Sequence, residues 1–183
     1  MQEKNLTKKR TTVWLCVTAL FMAMNVVMSM SIFSIPVPGG HLYLNDIVIC
    51  TASILLDPFG AFMVGGVGAF LGDFFFYPTP MFVSLVTHGL QAIVISVFSH
   101  YTLKKHPAVA SGIGVTLGAI INIVGYSLGR AFFYASSGAE PSIATALTKL
   151  PFQVLQAGVG AVLGMIICWK FGIRKIFNKL MEK

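Results

Sequence analysis

Six apolar stretches, separated by short breaks rich in charge, proline and glycine, dominate this sequence, at about 12–33, 45–56, 61–76, 81–101, 108–134 and 143–169. A hydrocarbon core about 30 Å thick is crossed by roughly 20 helical residues, and lipid forces every backbone N–H and C=O to pair within the protein. The pattern therefore predicts an all-α membrane protein: one integral domain over 1–183, a bundle of six transmembrane helices, and a basic tail at 170–183. The second stretch is short, opens on Asn45-Asp46 and ends at the turn Asp57-Pro58-Phe59-Gly60. It and the third could instead form one re-entrant hairpin, leaving four spans; in either arrangement the termini share a side. With 56% hydrophobic and 10% charged residues, against about 25% charged in soluble domains, a water-soluble globule and a disordered chain are both excluded.

The few charges are placed by topology. Lys4, Lys8, Lys9 and Arg10 precede the first stretch, Lys104 and Lys105 share one break, and Lys170, Arg174, Lys175, Lys179 and Lys183 close the chain. The positive-inside rule then sets an N-in/C-in bundle in a cytoplasmic membrane, with eleven of the 13 basic residues inside. A net charge of +7 would suit nucleic acid only on one polar face, so no nucleic-acid partner is expected. The first stretch is long for a signal-peptide core and no Ala-x-Ala site follows it, so it reads as a retained helix. Cys16, Cys50 and Cys168 lie in apolar runs as small hydrophobes, implying neither metal nor redox chemistry.

Small residues at four-residue spacing allow close helix packing in lipid. Ala19 and Ala23 form such a step, Ala61, Gly65, Gly68, Ala69 and Gly72 a second face, and Ala157, Gly158, Gly160, Ala161 and Gly164 a third. Internal packing and a partner interface both account for them. The Gly66-Val67-Gly68-Ala69-Phe70-Leu71-Gly72 run has the wrong spacing for a dinucleotide fingerprint. With no phosphate loop, nucleophile elbow or His-Glu-x-x-His pair in the chain, an enzyme has little support, and no cofactor is expected.

Polar side chains at membrane depth are costly and usually face a cavity or one another. At 1.5 Å per residue, Asn25, His88, Gln91, Tyr126 and Gln153 fall in one layer roughly 10 to 15 Å below the outer surface, with Asp73 about a turn below it. Asn122, Tyr126 and Arg130 share one helix face. A pocket opening outward is the natural construction, beneath an irregular loop at 35–46 that brings His41, Tyr43 and Asn45 and could act as a lid. Each member also has a plainer role: His88 bonded to Asp73, Gln91, Gln153 and Gln156 as interhelical glue, Arg130 snorkelling to headgroups, Phe74 to Tyr77 as an aromatic belt, and Asp57 capping a cytoplasmic turn. Without rings of acids for a cation pore, the layer suits a small, largely neutral aromatic solute.

The pattern Ile35-Pro36-x-Pro38-Gly39-Gly40, Leu44-Asn45-Asp46, Leu56-Asp57-Pro58-Phe59-Gly60-Ala61, Gly65-Gly66-x-Gly68-x-x-x-x-Asp73 and Thr87-His88-Gly89 resembles the substrate-binding S components of energy-coupling factor (ECF) vitamin transporters. It is most similar to the branch with riboflavin, hydroxymethylpyrimidine and pyridoxine importers. The resemblance implies a six-helix N-in/C-in fold and a vitamin held near the outer face. It also implies partnership with a membrane coupling subunit and two cytoplasmic ATP-binding subunits, which would hydrolyse the ATP. Ala19 and Ala23 match the family's Ala-x-x-x-Ala coupling contact, and Gly158 and Ala161 would pack nearby. His88 stands where many relatives carry lysine. Vitamin B6 or hydroxymethylpyrimidine is the first expectation for the ligand and riboflavin the next. The rivals are a stand-alone secondary transporter, disfavoured by the lack of an inverted repeat, and a structural or regulatory subunit without a ligand.

Overall fold

The computed structural model describes residues 2–30, 32, 34–38, 40–134 and 140–182, with the side chains of 2–9, 40 and 182 outside the description. Residues 135–139, in the break after the fifth apolar stretch, therefore lie outside the described residues. Helix α1 spans Gln2–Met28, strands β1 Ile35–Val37 and β2 Gly40–Leu42 follow, and then come α2 Asn45–Leu55, α3 Pro58–Phe76, α4 Met81–Tyr101, α5 Pro107–Phe132, α6 Ile143–Lys170 and α7 Ile173–Glu182.

Five of these helices, α1 and α3 to α6, are long and apolar enough to cross a membrane. The exception is α2, whose 11 residues rise about 16 Å. Past its polar first turn, its sequence is apolar or small nearly all round, the signature of a buried helix. All of its residues except Ile47 are buried, and it packs against α1, α3, α4 and α6. The shortest apolar run is thus the centre of the bundle.

Two other expectations change. The segment at 35–46 is no irregular loop: Ile35 pairs with Leu42, Pro36 with His41 and Val37 with Gly40 in a short antiparallel hairpin before α2 begins at Asn45. The tail at 170–183 is helical over Ile173–Glu182. It is amphipathic, burying Phe177 in the cluster that holds Leu56, Ile95 and Cys168, while Arg174 donates to the Ser99 carbonyl at 2.8 Å and to Ser111 Oγ at 3.2 Å.

At the start of α3, Asp57 accepts from the Phe59 N–H at 3.3 Å and from Trp14 Nε1 at 2.6 Å, with Pro58 in the first turn, where its missing N–H costs nothing. The carboxylate both caps α3 and ties it to α1. Asp57→Ala is expected to cost about 1–2 kcal/mol, seen as a lowered midpoint of thermal unfolding in detergent; an unchanged midpoint would show that neither bond matters.

The small-residue faces divide. A Cβ on Gly65 would come 2.7 Å from Ala92 Cβ and 2.8 Å from the His88 carbonyl, and one on Gly72 would lie 2.6 Å from Ser29 Cβ, so this face of α3 serves close packing on α4 and α1. On α6, Gly160 abuts Asp46 and Gly164 abuts Cys50, both on α2. Ala161 is partly buried against the core, whereas Gly158 faces open space and Ala19 and Ala23 are exposed. The smooth surface of α6 is therefore mostly internal, and of its two residues expected at a partner interface only Gly158 is fully open.

Candidate functional site

Four helices converge on the carboxylate of Asp46, on the first turn of α2. Gln91 Nε2 of α4 and Asn122 Nδ2 of α5 each donate to its Oδ1 at 3.0 Å, and Gln156 Nε2 of α6 donates to its Oδ2 at 2.7 Å. The amides are cross-linked in turn: Asn122 Nδ2 donates to Gln91 Oε1 at 2.9 Å, and Gln153 Nε2 donates to Asn122 Oδ1 at 2.5 Å. His88 Nδ1 lies 2.8 Å from Gln91 Oε1 and 3.8 Å from Asp46 Oδ1. The partner foreseen for His88 was Asp73; the imidazole turns instead to this amide network, with its ring 5.2 Å from that of Tyr126.

Above the network, toward the hairpin, is an enclosed polar cavity of about 40 Å³, room for about three waters. Tyr43, Tyr77, Tyr126 and Tyr134 supply phenols to its walls, and Asp73, His88, Arg130 and Gln153 a carboxylate, an imidazole, a guanidinium and an amide. Ser84 donates to Asp73 and lies 2.5 Å from the Tyr126 hydroxyl, joining α3, α4 and α5. Tyr43 is anchored through its backbone N–H to Gln156 Oε1 at 3.0 Å. Burial, with a smaller push from the Asp73 charge, raises its phenol to about 12, so it stays protonated as a donor at neutral pH. A wider apolar groove of about 530 Å³ runs between α4 and α5 past Phe82, Val86, Leu128 and Phe133. Those side chains are exposed on the lateral face of the bundle, where acyl chains rather than a polar solute would meet them.

Of the expected binding residues, His41, Tyr43, Asn45, Asp73, His88, Tyr126 and Gln153 line the polar cavity. Gln91 and Asn122 lie beneath it as the links between His88, Gln153 and Asp46. The His41 imidazole is exposed and close to Ser34 Oγ, at 3.1 Å. Asn25, placed in the same layer from its depth, belongs elsewhere: its Nδ2 donates to the Val64 carbonyl at 2.6 Å, bracing α1 against the π-helical turn Met63–Val67 of α3.

The sequence reading passed over Asp46 and Lys149 as site residues and left Arg130 open between the face it shares with Asn122 and Tyr126 and the headgroups. Arg130 does not snorkel to headgroups; it is 7% exposed, donates Nη2 to Gln153 Oε1 at 3.1 Å and stacks its guanidinium 5.4 Å from the Tyr126 ring centroid. Lys149 is 1% exposed, and its ammonium donates to the His41 carbonyl at 2.5 Å, clasping β2 to α6. The available signal was an ionisable residue within an apolar helix, which by default marks a functional interior. Among the described residues no group of three His, Cys, Asp or Glu side chains could hold a metal ion.

A Pyrococcus woesei protein, described as an uncharacterized protein in the gap 3′ region, is 29% identical over 132 residues, covering 71% of this chain and 82% of its own. Residues 9–172, from α1 to beyond the end of α6, match the family described as ECF-type riboflavin transporter, S component. A multi-pass helical membrane protein with a buried polar centre, matched along nearly its whole length, this chain belongs to the S-component family of ECF transporters, whose members are substrate-binding subunits of vitamin uptake systems.

Proposed function

We propose that this S component captures a compact, single-ring B vitamin or precursor, with pyridoxine or hydroxymethylpyrimidine ahead of riboflavin, and passes it to the cytoplasm with a coupling subunit and two ATP-binding subunits. The observation that carries this reading is the polar cavity itself, enclosed among α3 to α6 and the hairpin and walled by phenols, amides and both signs of charge. Such a lining offers flat faces for stacking and matched donors and acceptors for ring substituents. With room for only about three waters as it stands, the cavity must widen to take any ring, and one ring asks for less widening than three.

The same reading takes α2 as a sixth membrane element, both termini as cytoplasmic and the hairpin as outward-facing. A single cysteine at Lys104 should then be shielded from an impermeant thiol reagent in intact cells, and one at Ser34 labelled.

Calorimetry of the purified protein against the B vitamins should give submicromolar affinity for one single-ring compound, and native mass spectrometry should recover it as a co-purifying mass. No binding across the panel would defeat the proposal. His88→Ala is expected to weaken binding about tenfold with little change in thermal stability. Ala19 and Ala23 remain exposed after the bundle has packed, which supports them as coupling contacts. Ala19→Trp or Ala23→Trp should abolish uptake while leaving ligand affinity within about twofold; loss of binding would assign that face to internal packing.

A further inference from the structure

Two opposite charges line one cavity here without pairing. Buried and only 7% exposed, Arg130 makes one side-chain hydrogen bond, from Nη2 to Gln153, while Nε and Nη1 are buried with no hydrogen-bond partner among the described residues. Buried polar atoms are nearly always satisfied, and an unpaired N–H on a buried cation is among the costlier exceptions. Asp73 lines the same cavity, yet no salt bridge joins it to Arg130 among the described residues. Tyr126 keeps the charges apart: its hydroxyl meets Ser84, which donates to Asp73, and its ring carries the guanidinium at 5.4 Å. The phenols of Tyr43 and Tyr134 lie in the fields of both charges, raised by Asp73 and lowered by Arg130, with burial the larger cause of their upward shifts.

Resting on the vitamin-capture reading above, we propose that Arg130 and Asp73 together select the zwitterionic form of the ligand, a ring bearing an anionic oxygen and a protonated nitrogen, so that a hydroxypyridine is taken over an uncharged pyrimidine of similar size. In a 3-hydroxypyridine the proton moves readily from the ring oxygen to the ring nitrogen, leaving both charges on one flat molecule. Its oxygen accepts from one of the two unpartnered Arg130 groups, Nε–H or Nη1–H, in a charge-assisted hydrogen bond. Its ring N–H donates to the Asp73 carboxylate. An aminopyrimidine offers Asp73 a donor but brings no anion to Arg130, and a site with buried donors discriminates strongly against a ligand that leaves them unpaired.

The test compares pyridoxine with its 3-O-methyl ether and hydroxymethylpyrimidine, with riboflavin as a fourth ligand, by calorimetry on the intact protein in detergent. Wild type should favour pyridoxine at least tenfold over both others, and bound pyridoxine should show the ultraviolet spectrum of the zwitterion. Arg130→Gln should weaken pyridoxine at least tenfold and the ether less than threefold. Equal wild-type affinity for pyridoxine and its ether, a bound spectrum of the uncharged form, or an equal loss for both ligands in Arg130→Gln would overturn the inference. If that variant fails to fold, the wild-type comparison and the spectrum decide alone. Tightest binding of the pyrimidine or of riboflavin sinks charge selection but leaves vitamin capture standing, whereas no binding of any of the four removes both.

Discussion

Asp46→Ala is expected to lower stability by about 3–5 kcal/mol, equivalent to roughly 6–20 °C in thermal midpoint for a chain of this size, and to abolish measurable ligand binding. The reason lies in the donors left behind. Gln91, Asn122 and Gln156 each point an amide N–H at this carboxylate from a different helix, and each buried N–H stripped of its acceptor costs about 1–3 kcal/mol. Asn122 would keep a bond to Gln91 Oε1, so the total falls short of three full penalties. Asp46→Asn should recover about half of the loss, because amide side chains can invert to present oxygen in place of nitrogen. Thermal unfolding in detergent with parallel calorimetry checks both variants, and a midpoint within 2 °C of wild type for the alanine variant would mean that Asp46 is not the hub.

Gly160→Val should be nearly as damaging for a steric reason. A Cβ there would lie 2.5 Å from Asp46 Cβ and 3.0 Å from the Asp46 carbonyl carbon, so the clash is with the root of the side chain and the backbone of α2, which cannot rotate aside. Overpacking of this kind costs about 1–3 kcal/mol, and pushing α2 from α6 also stretches the Gln156–Asp46 bond of 2.7 Å. A combined loss of about 3–4 kcal/mol is expected, with ligand affinity down more than tenfold. Gly158→Val, two residues away on the same helix with no atom within 4 Å of its Cβ site, is the matched control and should leave the midpoint unchanged. Equal effects from the two valines would point to a change in helix propensity rather than a clash at the hub.

The candidate site was only partly legible in the sequence. Depth counting gathered His88, Gln91, Tyr126 and Gln153 into one layer, because helical rise is uniform and polar residues in apolar helices stand out. Depth carries no rotation about the helix axis, however, so it grouped Asn25 with them although that side chain bonds to Val64 between α1 and α3. Asp46 looked like the polar start of a marginal helix. Its importance follows from the burial of α2 among the surrounding helices, which no local pattern reports. Arg130 and Lys149 fell outside the basic clusters that explain topology; that they turn inward depends on partners brought by α6 and β2.

Hydropathy and charge along the chain were sufficient to determine that it folds as membrane helices, where most of them begin and end, and which breaks carry positive charge, because those features follow from local solvation by lipid and water. The tertiary structure decided what the polar residues do. Hydrogen bonds among Asp46, Gln91, Asn122 and Gln156 link residues up to 110 positions apart, and whether an amide meets a carboxylate, a carbonyl or a cavity is set by how helices rotate and cross, a property of the packed bundle that no single segment contains.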